Sequence, residues 1–201
     1  MHRISNPNIE LLELAVARLG PLADKMVFVG GCATGLLLTD TAAPPVRSTQ
    51  DVDVLTQVAT HGEYYRLSER LRELGFSEDQ TPGAPVCRWL NDGVLLDVMP
   101  TNPEILGFGN EWYEQARQNS VVVSLPSGTS IHVVTSPYFL ATKLAAFDGR
   151  GDNDYVLSHD IEDVVAIIDG RPEVVDEVRA SDASQSRLPV VLERIKAIAD
   201  L

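Results

Sequence analysis

The amino-acid sequence predicts an α/β (α+β) domain in which a mixed β-sheet is flanked by helices and followed by a helical C-terminal portion. Three observations predict this class. Short apolar segments with strand character alternate with segments of helical periodicity, two later segments have the turn chemistry of β-hairpins, and the sequence is helical in character from Ser136 onward. We therefore predict one domain over residues 1–135 and a helical portion over residues 136–201 that completes its cleft.

Helices and strands alternate over the first part of the chain. Helices are predicted where apolar residues recur three or four positions apart, and strands where a short apolar run is bounded by polar residues or glycine. Gly30-Gly31 separates the first strand from the helix that follows it. In chain order the predicted elements are a helix over 8–20, a strand over 25–29, a helix over 32–38, a loop over 39–50, a strand over 51–56 and a helix over 62–75.

Two β-hairpins and three helices complete the predicted elements. Residues 86–99 form the first hairpin around Asn91-Asp92-Gly93, because Asn/Asp-Gly supplies the positive φ angles of a tight turn. Residues 121–134 form the second around Pro126-Ser127-Gly128. The helices are predicted over residues 137–147, 158–168 and 188–198, and a Gly/Asp-rich loop over 148–154 follows the first of them.

The composition is that of an ordinary globular protein. Of the 201 residues, 44% are hydrophobic and 22% are charged, and no apolar run approaches the roughly 20 residues that cross a bilayer. The N-terminus has no signal-peptide core, so we expect a cytoplasmic protein without membrane contact. Cys32 and Cys87 have no metal-ligand spacing and are expected to be buried reduced thiols. The formal net charge of −13 argues against strong non-specific binding of nucleic acid.

The segment Asp51-Val52-Asp53 is the first candidate for a functional site. Residues i and i+2 of a strand share a face, so both carboxylates would point the same way while Val52 points into the core. Two close carboxylates repel unless a cation lies between them, and Mg²⁺ is a usual partner. The tripeptide alone is a weak motif, and in isolation it favours a solvated strand face or a strand start over a ligand site. The preceding Gly30-Gly31 favours a ligand site, because glycines allow close backbone approach and the N–H groups of a helix start suit phosphate.

Asp97 is a third candidate, on the second strand of the first predicted hairpin. It lies among residues that favour burial, so its carboxylate requires a partner. From this segment alone a metal ligand and a hydrogen-bonded structural aspartate are both open.

Together these motifs resemble the nucleotidyltransferase superfamily related to polymerase β. The resemblance rests on residues 30–33 (GGCA), residues 47–53 (RSTQDVD) and Asp97. Residues 136–147 (SPYFLATKLAAF), 149–152 (GRGD) and 158–163 (SHDIED) are similar to the AbiEii branch, which includes toxins of type IV toxin–antitoxin and phage-defence systems. The similarity extends over about residues 26–170, most of the chain. The resemblance implies a nucleotidyltransferase-type fold, that is, a mixed β-sheet flanked by helices.

The resemblance also implies the roles of individual residues. Asp51, Asp53 and Asp97 would be catalytic ligands of Mg²⁺ or Mn²⁺. Lys143 and Asp160 would be catalytic, and the residues that would contact a nucleoside triphosphate (NTP) are Gly30, Gly31, Arg47, Thr49, Lys143 and Arg150.

The residues of the C-terminal motifs can also be interpreted from their local sequence, without the resemblance. Lys143 on an apolar helix either extends to water or reaches an anionic ligand. Asp160 suits the first turn of a helix capped by Ser158, whereas Asp163 and Glu162 are expected on a solvated face. The core stripe of this helix is predicted to be Ile161, Val164, Val165 and Ile168.

The implied function is transfer of a nucleoside monophosphate (NMP) from an NTP to an acceptor that is RNA such as tRNA, a protein or a small molecule. An antitoxin protein would then be a partner. Two alternatives remain open. One is a non-catalytic interaction module of a two-gene system that keeps the fold. The other is an antibiotic-type nucleotidyltransferase, whose cationic acceptor an acidic surface would suit.

Overall fold

A computed structural model describes residues 6–150, 154–182 and 188–199. Within these ranges seven strands form one sheet. They are β1 (Met26–Val29), β2 (Asp51–Thr56), β3 (Ser77–Glu78), β4 (Arg88–Asn91), β5 (Val94–Pro100), β6 (Val121–Ser124) and β7 (Ser130–Val133). Their order is β3-β4-β5-β2-β1-β7-β6. The sheet is mixed, because β2 and β5 pair in parallel, as do β1 and β7, while the other neighbours are antiparallel.

Helices flank this sheet, which confirms the predicted mixed α/β class. They are α1 (Pro7–Leu19), α2 (Gly30–Leu37), α3 (His61–Glu73), α4 (Tyr113–Gln118), α5 (Ser136–Arg150), α6 (His159–Gly170), α7 (Val174–Asp182) and α8 (Leu188–Ala199). The sequence did not predict α4, α7, the two-residue strand β3 or a 3₁₀ turn over Gly20–Lys25. Among the helices of the described ranges, none combines the length and the apolar character needed to span a membrane.

The first predicted hairpin fixes the register of β4 and β5. Asp92 and Gly93 have φ angles of 39° and 87°, which are those of a tight two-residue turn. Asn91 therefore pairs with Val94, and three residues further back Arg88 pairs with Asp97. The turn thus places an arginine directly opposite the third candidate carboxylate.

The hydrophobic core is continuous from the sheet into the C-terminal helices. All four residues of β1 are buried, and the same cluster includes Val133 and Val134 before residue 135 and Tyr138 and Phe139 after it. The two thiols, Cys32 and Cys87, are buried and free of disulfides, as predicted. The division of the chain at residue 135 stays a prediction.

The C-terminal helices differ from the prediction in two ways. The first three residues of the predicted 148–154 loop belong to α5, and Gly151 and Asp152 of its motif lie outside the described residues. In α6 the predicted core residue Val165 is 44% exposed, whereas Ile167 is buried.

The expectation that Asp163 is solvated was also wrong, since it is only 1% exposed. Helix α6 packs against α5 and also against α2, so its buried face turns toward cationic side chains that can pair with a carboxylate.

Candidate active site

Three carboxylates lie close together near the N-terminal end of β2, in the middle of the strand order. Asp51 and Asp53 alternate with the buried Val52 and Val54, so they share one face of β2. Because β2 and β5 are parallel and in register, Asp53 lies directly beside Asp97. Neighbouring strands are about 4.8 Å apart, which brings Asp53 and Asp97 within reach of a common ligand.

Gly30 allows the backbone to approach Asp53 more closely than any side chain would permit. It follows β1 with a φ of +70°, and a Cβ atom there would lie 1.9 Å from Asp53 Oδ2. At the next position, a Cβ on Gly31 would lie 2.8 Å from Arg47 Nη2. Both glycines therefore leave room for charged side chains at the start of α2.

We expect Gly30→Ala to cost more stability than Gly107→Ala. Gly107 has a matching φ of +74° but nothing within 4 Å of its Cβ position, so the backbone strain is shared and only Gly30→Ala adds the clash with Asp53. The difference should be about 1–3 kcal/mol, the usual cost of overpacking. Urea unfolding of both variants measures it, and equal losses would show that Asp53 moves away freely.

Arg88 pairs with two of the three carboxylates. Its Nε and Nη2 atoms donate to Oδ1 and Oδ2 of Asp97, each at 2.8 Å, and Nη2 also donates to Asp51 Oδ2 at 2.8 Å. The hydrogen bond to Asp97 raises the pKa of Arg88 above its usual value, with the charges of Asp97 and Asp51 adding to the shift. Arg88 therefore stays charged between Asp51 and Asp97.

The segment before β2 is held by a buried asparagine of α1. Asn8 Nδ2 donates to the carbonyl of Arg47 at 2.9 Å, and Asn8 Oδ1 accepts from the backbone N–H of Thr49 at 3.0 Å. Thr49 Oγ1 then donates to Asp51 Oδ1 at 2.7 Å. Thr49, predicted as a nucleotide contact, thus orients the Asp51 carboxylate.

A network of charged side chains connects α5 and α6 with the start of α2. Lys143 is 9% exposed, and its Nζ lies 2.6 Å from Asp163 Oδ2 and 3.2 Å from Asp160 Oδ1. Arg47 forms a two-pronged contact with Asp163 at 3.0 and 2.9 Å, and Arg150 pairs with Asp160 from the solvent side. Lys143 therefore does not extend to water; it lies between two aspartates.

The comparisons with known proteins bear on the fold of this chain. No family model and no curated protein sequence matches it. Among solved structures, an antigenic nucleotidyltransferase-like protein from Paracoccidioides brasiliensis is 17% identical with a TM-score of 0.55, over 94% of this chain and 93% of that one. The antibiotic-resistance factor ANT(2'')-Ia is 16% identical with a TM-score of 0.50, over 89% and 92%. The chain has a nucleotidyltransferase-type fold.

In this nucleotidyltransferase-type fold the Asp53 carboxyl has a strongly perturbed pKa. Burial, with repulsion from Asp51, raises the pKa of Asp53 to about 7, while the charge of Lys143 offsets part of that rise. Burial alone would lower the pKa of Lys143, but the charges of Asp163 and Asp160 outweigh it, so the pKa is raised. At neutral pH the site thus holds a cationic Lys143 and an incompletely ionised Asp53.

The donor set of the candidate site suits a hard divalent cation. Three carboxylates that share one sheet face supply the oxygen ligands that Mg²⁺ and Mn²⁺ prefer. As the side chains stand, however, no group of three or more His, Cys, Asp or Glu in the described part of the chain is arranged around a metal position. Arg88 and Thr49 hold Asp51 and Asp97 in hydrogen bonds at this position.

The sequence analysis missed three residues of this candidate site: Asn8, Arg88 and Asp163. A signal existed for Arg88, since the two-residue Asp92-Gly93 turn alone pairs residue 88 with residue 97. For Asn8 the only signal was an asparagine in the first turn of a helix, which is ordinary. For Asp163 the helical pattern pointed the wrong way.

Proposed function

We propose that the chain is a metal-dependent nucleotidyltransferase that moves an NMP from an NTP to an acceptor and releases pyrophosphate. The observation that carries the proposal is the placement of Asp53 beside Asp97 in parallel register, with Asp51 on the same face and Gly30 against Asp53. Three carboxylates next to a glycine-opened helix combine a cation site with a phosphate site.

The residues of the chain divide the reaction between them. Divalent ions held by Asp51, Asp53 and Asp97 would supply charge stabilisation for an in-line displacement at the α-phosphorus. The backbone N–H groups at the start of α2 would donate hydrogen bonds to phosphate oxygens. As the bond from the acceptor oxygen to phosphorus forms and the bond to pyrophosphate breaks, the acceptor proton would pass to a carboxylate oxygen of Asp97.

Lys143 and Arg150 would provide positive charge on the α5 side. Lys143 is fixed by Asp160 and Asp163, so its field at the site is in place before a substrate arrives. The side chain of Arg150 is 66% exposed and can turn from Asp160 toward a triphosphate. Arg47 is fixed by Asp163 and would act beside Gly31.

Two acceptor classes follow from different observations. The resemblance to AbiEii proteins favours RNA, including tRNA, as the acceptor, with an antitoxin as partner. The formal net charge of −13 favours a small cationic acceptor, and one of the structural neighbours is an antibiotic-resistance factor. We propose RNA first and the small cationic acceptor second.

Transfer assays with labelled NTPs test the proposal. Purified protein with Mg²⁺ or Mn²⁺ is incubated with each α-labelled NTP and either total RNA, a hydroxylated polyamine or no acceptor. We expect label in one acceptor class, and Asp53→Ala should reduce the rate at least 10³-fold, in the range that loss of a central catalytic group produces (about 4 kcal/mol).

Asp176→Asn is the matched control, because the Asp176 side chain is 83% exposed on α7, outside the site. It should retain the rate of the unaltered protein. Absence of both transfer and NTP binding would favour the non-catalytic module instead.

A further inference from the structure

All four carboxylate oxygens of Asp51 and Asp97 already accept a hydrogen bond. Arg88 donates to three of them and Thr49 to the fourth, at 2.7–2.8 Å. The Nη2 atom of Arg88 uses both of its hydrogens, one toward each aspartate. Arg88 therefore bridges the two carboxylates as a bound cation would.

These hydrogen bonds alone would not keep a metal ion out. Each carboxylate oxygen has a second lone pair and can accept a hydrogen bond and bind a cation at once. The charge of Arg88 is what opposes the ion, because the side chain is only 19% exposed and holds a full positive charge against the same oxygens. A divalent ion at Asp51 and Asp97 must displace Arg88 or bind against it.

We propose that Arg88 is a cationic latch that holds Asp51 and Asp97 in the nucleotide-free protein and leaves them for the triphosphate when metal and nucleotide bind together. The inference rests on the proposed function. Its consequence is coupling: metal ions bind the nucleotide-free protein weakly, and the nucleotide raises their affinity by giving Arg88 an anionic partner.

The chemistry of the side chain supports this exchange. A guanidinium group matches phosphate as well as carboxylate, because both accept two parallel N–H bonds. Arg88 also lies on β4, one strand outside β5, so its side chain reaches the carboxylates from the rim of the site. A displaced Arg88 leaves no charge without a partner, since the metal ion takes the aspartates and the phosphate takes the arginine.

Affinity for Mn²⁺ in the absence of nucleotide tests the latch. Titration calorimetry or electron paramagnetic resonance on the metal-stripped protein gives the affinity of the unaltered chain, of Arg88→Gln and of Arg70→Gln. The control residue Arg70 is an exposed arginine of α3 that pairs with Glu73. We expect Arg88→Gln to bind Mn²⁺ at least tenfold more tightly than the unaltered chain, and Arg70→Gln to bind it equally well.

Thermal unfolding with Mn²⁺ and a non-hydrolysable NTP in excess, each alone and both together, measures the coupling. Nucleotide and Mn²⁺ added together should raise the melting temperature by more than the sum of their separate effects. This excess rise in melting temperature should be smaller in Arg88→Gln. If Arg88→Gln does not fold, Arg88→Met decides, because methionine keeps an unbranched side chain for packing and removes the charge. Its Mn²⁺ affinity should then lie above that of the unaltered chain.

Other outcomes would overturn the latch. An unchanged or lower Mn²⁺ affinity in Arg88→Gln, or in Arg88→Met where that variant decides, would show that Arg88 orients the metal ligands instead of competing with the ion. That result leaves the proposed function standing, since metal still binds. If neither the unaltered chain nor Arg88→Gln binds Mn²⁺ or NTP at millimolar concentration, the proposed function fails and the latch fails with it.

Discussion

Asp53→Asn should make the metal-free protein more stable at pH 8, by about 2–4 kcal/mol at 1.36 kcal/mol per pKa unit, while abolishing nucleotidyl transfer. The carboxyl of Asp53 has its pKa raised to about 7 by burial and by repulsion from Asp51. Its ionised form therefore destabilises the folded state. Asparagine has nearly the same shape and carries no charge, so it removes that cost.

The sign of the effect depends on pH. An aspartate has a pKa of about 3.9 in an unfolded chain, so between about pH 4 and 7 the folded state holds a proton on Asp53 that the unfolded state has released. The stability of the unaltered chain consequently falls as the pH rises through this window and levels off above pH 7. The gain from Asp53→Asn should be at most about 1 kcal/mol at pH 4.5 and complete at pH 8.

Urea unfolding in the presence of a chelator, at pH 4.5 and pH 8, measures both values. Asp51→Asn is the matched control, because Asp51 is two residues away on the same strand face but accepts hydrogen bonds from Arg88 and Thr49. It should lose stability at pH 8. A loss in Asp53→Asn at pH 8 would contradict the prediction and would mean that Lys143 compensates the charge of Asp53 in full.

The same variant separates stability from function. Metal ions that bind only the folded protein stabilise it by mass action. Mg²⁺ added together with a non-hydrolysable NTP should therefore raise the melting temperature of the unaltered chain and leave that of Asp53→Asn unchanged. A stabilised but inactive variant is what a site built from mutually repelling carboxylates should give.

Much of the fold was predictable because local chemistry determined it. Alternating aspartate and valine in β2 gave both the strand and the face that carries the acids, and the Asp92-Gly93 turn set the register of β4 and β5. The strand–glycine–helix junction at Gly30 was readable for the same reason. Short elements such as α4 were missed because six residues carry too little periodic pattern.

The partners of the site residues were less predictable, because they depend on contacts between distant parts of the chain. Asp163 was expected in water, yet it meets Arg47, 116 positions away in the sequence, and Lys143 from another helix. Nothing in the sequence of α6 reveals that its acidic flank faces two cations. Val165 was predicted as core from the spacing i, i+3, i+4 and i+7 alone. That spacing does not show which face of α6 its neighbours α2, α5 and α8 cover, and they cover Ile167 instead of Val165.

Asp163→Asn should be among the most destabilising single substitutions in this chain, with a loss of about 3–5 kcal/mol, the usual cost of removing one partner from a buried ion pair. Asp163 is 1% exposed and accepts from Arg47 twice and from Lys143 once. Without its charge, two cations remain close together at the start of α2. Urea unfolding should show the loss, while Asp176→Asn, on the exposed face of α7, should change stability by less than about 0.5 kcal/mol.

The role of Lys143 can be tested by combining Lys143→Met with Asp163→Asn in a double variant. If Asp163 holds Lys143, the two losses will not add, and the double variant should be more stable than their sum predicts by about 1–3 kcal/mol. Additive losses would mean that Lys143 is independent of Asp163 and free to reach a ligand by itself. With coupling present, Lys143→Met should still lower transfer at temperatures where the protein remains folded, because Lys143 acts on Asp53 through its fixed charge. The activity loss would then report the electrostatic field of Lys143, separated from its contribution to stability.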